Sequence, residues 1–438
     1  MRTSVYVQCP SAVLAAALTA ALVSGIHADL AGTLTVTDRT EVRLRVYQGE
    51  TVPGVDAVNA PGLRLDVVTG ERVSYSLGYF PMFTLEDMEE GLQPLIFQTV
   101  STGMSWRVTP RFRLSLGEDG SYGSQNYSFL TPTAAPTAVP GAPPASTPTL
   151  QLLPGAETLL YGSSRSSVSM QYQAARHLQI TLTPTYFVGG GLDAASREAI
   201  PRQNAPRVEL GIAALVDRRD SLTTSMDATD TSFTARQCDP TTGGDPTAIS
   251  LALTPYATCK PHNDLANVSE IWRRQLGRTD NLAIGAGVTG AHVKLDPGGE
   301  RNVLFPTAAV TLIHRFHADD GTHGELTADV RVAPIIDVRF GTIDQRAQAV
   351  LGCKWKGVRA TYTLGVGATQ SLPPSEAGAV TFIGVSGEAL YAIGTDKRFD
   401  FGGGYRGAWQ TQQPESPFFS NVFYAVFVYH EPAMRLWP

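Results

Sequence analysis

The chain of 438 residues lacks the long apolar runs that membrane-spanning helices require. A spanning helix needs about 20 consecutive apolar residues, and no stretch after the N-terminal segment comes near that length. Capped segments with the 3.6-residue apolar period of an amphipathic helix are missing as well. These absences argue against a helical membrane protein and against a set of ordinary helical domains. They favour a chain built almost entirely from β-strands.

Basic runs and cysteines are also scarce. Lysine and arginine are scattered, the formal net charge is −6, and the sequence has no basic run of the kind that binds nucleic acid. Four cysteines are too few for a disulfide scaffold. Cys238 and Cys259 lie in one polar segment, where we expect a disulfide that stabilises the segment by about 3 kcal/mol. Two free thiols are the alternative.

The N-terminus has the features of a secretory signal peptide. Met1-Arg2 precedes an apolar stretch at residues 11–23, and small residues follow it at Gly25 and Ala28. Cys9 lies ahead of the apolar stretch, so it is not placed as the acylated cysteine of a lipoprotein. We therefore divide the chain into a signal peptide, residues 1–28, and one large unit, residues 29–438. Export to an oxidising envelope compartment agrees with the predicted disulfide.

The mature chain is a succession of about eighteen segments, each roughly ten residues long, the length of a tilted membrane-spanning strand. Sixteen strands are the alternative count. The connections alternate between short turns, expected on the periplasmic side, and long external loops. The predicted short turns are Thr69-Gly70, Thr109-Pro110, Ala175-Arg176, residues 217–220, 278–280 and 319–322, Lys356-Gly357 and residues 394–397. The predicted long loops are residues 49–61, 124–157, 189–206, 236–263 and 371–379.

Polar and apolar residues alternate within many segments, which is the pattern of a strand with two different faces. Thr327, Asp329 and Arg331, for example, alternate with Ala328 and Val330. An unpaired strand edge is not tolerated in hydrocarbon, because each unsatisfied backbone group costs several kcal/mol there. The predicted fold class is therefore all-β, a closed antiparallel transmembrane barrel with an apolar outer face and a polar, water-filled interior.

The alternation also predicts which side chains face this interior. They are Arg39, Glu41, Arg43, Arg113, Arg165, Gln171, Gln179, Glu209, Glu325, Asp329, Arg331, Arg359, Glu388, Arg398, Asp400 and Arg406. Arginines outnumber acids among the interior charges, so we expect a net basic lumen in an acidic chain. Cys353 falls on the opposite face, toward lipid.

Together, the signal peptide, the alternating turn lengths and the closing segment at residues 418–430 resemble the Gram-negative outer-membrane β-barrel superfamily across essentially the whole mature chain. A barrel of this size without a plug domain is similar to the sixteen- to eighteen-stranded porins and to the barrel components of polysaccharide-export systems. One departure is that residues 431–438 continue past the last segment, whereas members usually end on an aromatic residue.

The resemblance implies a location in the cell outer membrane, contact with its lipid and a transport pore for a hydrophilic solute. The favoured role is export of a polysaccharide, with periplasmic export proteins as partners, and the net basic lumen favours an acidic polymer. A general diffusion porin that passes small anions is the alternative, and a rim enzyme or a structural or adhesive barrel is a third class. No Gly-x-Ser-x-Gly or His-Glu-x-x-His string occurs, so we expect no enzymatic activity.

Two residue groups share features with known binding motifs, and each has a simpler interpretation. Gly285, Gly287 and Gly290 have the spacing of a dinucleotide fingerprint, but they lie inside a strand-like run with no helix after it. The histidines at residues 314–323 flank a predicted turn and are interpreted as a solvated surface. We therefore expect neither a cofactor nor a metal.

Overall fold

A computed structural model describes residues 30–47, 54–88, 91–126, 158–234, 236–238, 257–259, 261–295, 299–317, 322–337, 342–372, 380–394, 398–412, 418–431 and 434–436. The predicted signal peptide, residues 1–28, lies outside the described residues, and so do residues 127–157, most of one predicted external loop. Both stay predictions.

The described residues form twenty-one strands and one helix. They are β1 Leu30–Tyr47, β2 Gly54–Thr69, β3 Val73–Met88, β4 Gly91–Thr109, β5 Phe112–Asn126, β6 Thr158–Ala175, β7 Leu178–Gly191, α1 Ala194–Ala199, β8 Gln203–Leu215, β9 Asp220–Phe233, β10 Arg236–Cys238, β11 Ala257–Cys259, β12 His262–Gln275, β13 Asp280–Leu295, β14 Gly299–His317, β15 His323–Asp337, β16 Thr342–Lys356, β17 Ala360–Ser371, β18 Val380–Ile393, β19 Phe399–Gln412, β20 Phe418–His430 and β21 Met434–Arg435. The glycine-rich run that contains Gly285 lies within β13, as predicted.

Eighteen of these strands, β1–β9 and β12–β20, form one closed antiparallel barrel. Each strand pairs with the next along the barrel, and β1 pairs with β20 from Thr37↔His430 to Tyr47↔Ser420. The short strand β21 adds to the free part of β1, and β10 pairs with β11 in a separate ribbon between β9 and β12. The predicted barrel and its strand number are therefore confirmed.

The two ends of the barrel differ in their connections. All eight predicted short turns are short, and both β1 and β20 have their outer termini at the same end, which we call the periplasmic end. The other end, called the external end, carries the long connections. The alternation is not strict, however, because only two residues separate β3 from β4 and three separate β13 from β14 at that end. The predicted loop at residues 49–61 is shorter, because the ladder between β1 and β2 continues up to Arg45↔Gly54.

The predicted loop at residues 189–206 contains α1, which has six residues. Its N-terminus is capped by Asp193, whose Oδ1 accepts a hydrogen bond from the backbone N–H of Ser196 at 2.7 Å. This hydrogen bond holds the pKa of Asp193 below its usual value. No helix in the described part of the chain is long and apolar enough to cross a membrane.

The inner face of the barrel is identified by contacts that bridge several strands. Arg39 on β1 forms an ion pair with Glu388 on β18, although β20 and β19 lie between them. Side chains three strands apart approach each other only on the concave side of a curved sheet. The register then assigns every other position, because successive residues of a strand point to opposite faces. Large apolar side chains such as Leu304, Val330 and Leu364 are exposed on the outer face.

The interior is not polar throughout, which differs from the sequence-based expectation. Near the external end, interior positions of β6, β9 and β12–β14 carry apolar side chains that are only 2% to 8% exposed. This apolar interior cluster comprises Leu159, Tyr161, Ile200, Phe233, Leu265, Ala291, Val293 and Phe305. Alternation predicted polar residues here, but at this end of β9 and β12–β14 the alternation is inverted, with apolar side chains facing inward and polar side chains such as Asp264 and His292 facing outward.

The outer face provides a graded test of depth in the membrane. Cys353 lies on this face between Leu326 and Leu364, one outward position from Trp355, whose ring is 6.0 Å from that of Tyr362. Paired aromatic rings of this kind mark a membrane interface. Ala349 lies two outward positions farther from the periplasmic end than Cys353. Depth in the bilayer therefore increases from Trp355 through Cys353 to Ala349.

We expect Ala349→Arg to lower the free energy of unfolding by about 2–4 kcal/mol and Cys353→Arg to lower it less, because a charge costs most at the bilayer midplane. The measurement is denaturant unfolding of the refolded barrel in lipid vesicles. Gln348→Arg, on the inner face, is the matched control and should have little effect. Equal losses at positions 348 and 349 would contradict the assignment of faces.

Candidate functional site

Glu41 lies at the centre of an interior charge network on β1, β18, β19 and β20. Its Oε1 accepts hydrogen bonds from Arg39 Nε at 2.7 Å and from Arg406 at 3.0 Å, and its Oε2 accepts one from Arg43 Nε at 2.7 Å. The Glu41 side chain is only 4% exposed. One carboxylate thus binds three guanidinium groups, so positive charges outnumber negative charges around the two carboxylate oxygens of Glu41.

Glu388 supplies the second carboxylate of the network. It accepts hydrogen bonds from Arg39 and, at 3.0 Å, from the hydroxyl of Tyr424. The guanidinium of Arg406 lies 4.3 Å from the centre of the Tyr424 ring, a cation–π contact. Gly404 makes room for this ring, because a Cβ there would lie 2.4 Å from it. Arg39, Glu41, Arg43, Glu388, Arg406 and Tyr424 are called the seam network below.

The seam network covers an apolar part of the inner wall. Val426 and Val428 on β20 point inward and are only 1% and 7% exposed. Toward the external end, Arg45 pairs with Asp56 at 3.2 Å and with Glu86 at 3.6 Å, and all three side chains are at most 2% exposed. Charges on β1, β2, β3 and β18–β20 are therefore held in ion pairs against the wall.

Other interior arginines are paired as well. Arg207 lies 3.3 Å from Glu209 and 3.5 Å from Asp227, and Arg331 lies 2.6 Å from Asp329. Glu325 pairs with Arg315 at 2.9 Å, Arg398 with Glu431 at 3.6 Å, and Asp400 with His430 at 3.1 Å. Ion pairs within one strand and between neighbouring strands thus offset many of the charges that the sequence places in the interior.

Three arginines on β4–β6 have no carboxylate partner in the described part of the chain, as is also the case for Arg273 on β12, and we call the three on β4–β6 the basic arc. Arg107 and Arg113 lie directly opposite each other, and Arg165 lies opposite Asp119 on the neighbouring strand. Among the described residues, none of the three has a carboxylate oxygen within 4.0 Å. Gln171 is the next interior partner of Arg113, and interior serines and threonines surround this arc. The interior is therefore electrostatically uneven.

The comparison with protein families connects this geometry to a class of transport proteins. The chain matches the EpsX exopolysaccharide export family over residues 28–390, which span β1 to most of β18. The chain belongs to that family.

Solved structures similar to this EpsX-family chain are outer-membrane proteins of low sequence identity. OpdK of Pseudomonas aeruginosa with vanillate is 10% identical, with a TM-score of 0.46 over 91% of this chain and 99% of that chain. OccK2 (OpdF) of the same organism in complex with glucuronate is 10% identical, with a TM-score of 0.45 over 92% and 98%. The ferric-catecholate import receptor Fiu of E. coli K12, in its open form, is 9% identical, with a TM-score of 0.44 over 91% and 81%. No curated protein matches the chain.

The structure brings only some of the predicted interior residues of this EpsX-family barrel together. Arg39, Glu41, Arg43, Glu388 and Arg406 meet in the seam network, whereas Gln179 lies opposite Gln173 far from it. Arg359 and Arg398 lie at the periplasmic rim, outside the strands. The other fourteen fall on interior register positions, but the role of all sixteen in lining a pore stays a prediction.

Tyr424, Asp56 and Arg107 are interior residues that the sequence analysis missed. Tyr424 lies in β20, which is apolar on both faces, so alternation carries no signal there. Asp56 belongs to a stretch that was predicted to be loop, although it lies in β2. Arg107 and Arg113 lie on either side of the turn between β4 and β5, and only the register of these two strands reveals that they face each other.

The backbone around the predicted disulfide is ordered as a two-stranded ribbon. Cys238 on β10 lies opposite Ala257, and Cys259 on β11 lies opposite Arg236. The two cysteines are therefore two positions apart across the ribbon, close in space but not directly opposite. The bond between Cys238 and Cys259 stays a prediction.

The seam network predicts a large difference between two glutamates. Glu41→Gln should lower the free energy of unfolding by about 2–4 kcal/mol, because it leaves three half-buried guanidinium groups without their buried carboxylate. Glu325→Gln is the matched control, since its ion pair with Arg315 is 39% and 53% exposed, and it should cost less than about 1 kcal/mol. Denaturant unfolding in vesicles measures both. Similar losses in the two variants would show that the network does not stabilise the barrel.

Proposed function

We propose that this outer-membrane barrel is a pore that exports an exopolysaccharide. The observation that carries the proposal is the match to the EpsX exopolysaccharide export family over residues 28–390. A closed barrel of eighteen strands with an exposed apolar outer face supplies the route across the membrane. The proposed activity is transport without a chemical step, and it requires neither a cofactor nor a metal.

The polar arc of the interior is suited to a hydrated saccharide. Interior positions of β5–β7 carry the hydroxyl groups of Ser115, Ser167 and Thr183 and the amides of Gln171 and Gln179. Groups of this kind replace part of the hydration shell of a polar solute as it passes. The sugar hydroxyls thus exchange hydrogen bonds with water for hydrogen bonds with the wall.

The charge of the proposed substrate follows from the basic arc. Arg107, Arg113 and Arg165 have no ion-pair partner within the described chain, whereas the arginines of the seam network do. Uncompensated positive charge in a confined, partly low-dielectric space attracts anions. We therefore infer that the polymer is acidic, and that periplasmic export proteins deliver it to the periplasmic end. A diffusion porin for small anions is the second candidate, because the same arc would attract them.

Deletion of the gene separates the two candidates. For an exporter we expect surface exopolysaccharide to be lost and the polymer to accumulate in the periplasm, with both restored by the unmodified gene. The measurement is quantification of polymer in the surface and periplasmic fractions. Unchanged surface polymer, together with slower uptake of small anions, would instead establish a porin and contradict the export role.

The basic arc predicts ion selectivity of the purified barrel in a planar bilayer under a salt gradient. The reversal potential should show anion preference, and Arg113→Gln with Arg165→Gln should reduce it, because these groups carry unpaired charge. Asp329→Asn with Arg331→Gln is the matched control: it removes one ion pair without changing the net charge, and it should leave the potential nearly unchanged. Cation preference of the unmodified barrel would refute the charge assignment, and so would equal shifts in both double variants.

A further inference from the structure

A row of polar side chains crosses the outer face of the barrel near its external end. Asp230 on β9, Asp264 on β12, His292 on β13 and Asn302 on β14 occupy successive positions in register. They alternate with buried interior residues such as Leu265, so they point outward, away from the lumen. Metal-ligating side chains on the outer face of a membrane barrel are not explained by the transport of a solute through its interior.

Two carboxylates in this row face each other directly. Asp230 and Asp264 are a cross-strand pair, which is destabilising for like charges. His262 lies between them, with Nδ1 3.5 Å from Asp230 Oδ1 and Nε2 3.3 Å from Asp264 Oδ1. In the part of the chain that the structure describes, the imidazole is their only ion-pair partner. Unless the imidazole is protonated, the two negative charges are uncompensated.

The three side chains have the spacing of a metal site. One ligand atom from each of Asp230, His262 and Asp264 lies within 4.8 Å of the other two. Ligands of a tetrahedral zinc ion are about 3.4 Å apart, which follows from metal–ligand distances of about 2.0–2.2 Å. Binding of one ion requires these side chains, which are 33% to 54% exposed, to rotate until both carboxylates converge on the same imidazole nitrogen. A set of one imidazole and two carboxylates binds first-row divalent ions, and three protein ligands leave a fourth position open.

Next to this polar row, on the side toward the periplasmic end, lies a depression in the outer wall. Its floor consists of small residues, Ala228, Ala266 and Gly290, and it is flanked by Val208 and Leu304, which are 50% and 73% exposed. The depression has a volume of about 700 Å³, and Asp230, Asp264 and His292 belong to its lining. It therefore combines an apolar floor toward the membrane interior with a ligand-rich upper edge.

We propose that Asp230, His262 and Asp264 bind a divalent cation, and that this cation holds a phosphorylated lipid of the external leaflet in the depression. The open coordination position accepts a phosphate oxygen, and an acyl chain lies over Ala228, Ala266 and Gly290. The cation relieves the repulsion between the two carboxylates and supplies the charge that attracts the anionic headgroup. Without it, the acidic edge would repel the same headgroup.

The first test uses the metal alone. Zn²⁺ is titrated into the full-length barrel in detergent and followed by calorimetry. We expect one site in the unmodified protein and an affinity loss of about tenfold or more in His262→Gln and in Asp264→Asn. His314→Gln is the matched control, because His314 pairs with Asp280 on the same face at the periplasmic end but lacks a second carboxylate. Absence of a Zn²⁺ site, or equal losses in the control, would overturn the proposal.

The second test adds the lipid. Lipid A is mixed with the barrel in detergent, and the bound fraction is measured by native mass spectrometry with Zn²⁺ and after chelation. We expect retention that requires the metal, that falls in His262→Gln, and that falls in Ala266→Trp, which fills the depression while leaving the cation ligands in place. Retention that is indifferent to chelation would refute the bridging role. Zn²⁺ binding without any retention of lipid A would refute the lipid part of the proposal.

Discussion

Closure of the sheet by the pairing of β1 with β20 is the constraint on which the rest of the structure depends. In hydrocarbon every backbone N–H and C=O must be satisfied by the protein itself, so the first and last strands cannot remain edges. Eleven residue pairs, from Thr37↔His430 to Tyr47↔Ser420, join them. This register determines which residues of both strands face lipid, because a slip of one residue would move every side chain to the opposite face.

The seam network is a consequence of that closure. Arg39 and Glu41 reach Arg406 and Glu388 only when β1 lies beside β20, so these contacts join the two ends of the chain across the seam. Burial of such charges is costly unless they are paired and hydrogen-bonded, and here each carboxylate has several donors. The network therefore stabilises one closed arrangement. An open sheet would leave the same side chains without partners.

The sequence predicts the fold well and the interior only in part. The short turns and the alternation in strands such as β15 are local features, so the residues themselves reveal them. The pairing of Arg39 with Glu388 depends on sheet curvature across 349 positions of the chain, and no local pattern contains it. The apolar interior cluster was missed for a different reason. Around Leu265 and Val293 the apolar side chains face inward and Asp264 and His292 face outward, so the rule that polar residues face the lumen assigns the wrong face there.

The uneven distribution of ion pairs determines which part of the interior would act on an anion, if the barrel passes one as proposed. Paired charges such as Arg331 and Asp329 form dipoles whose field weakens quickly with distance, whereas Arg107 and Arg113, which face each other, present whole charges. At physiological ionic strength, charges in water act over about 8 Å, so the acids of the seam do not compensate arginines on a distant arc. An anionic polymer would thus meet attraction along β4–β6 and a nearly neutral wall along β1 and β18–β20.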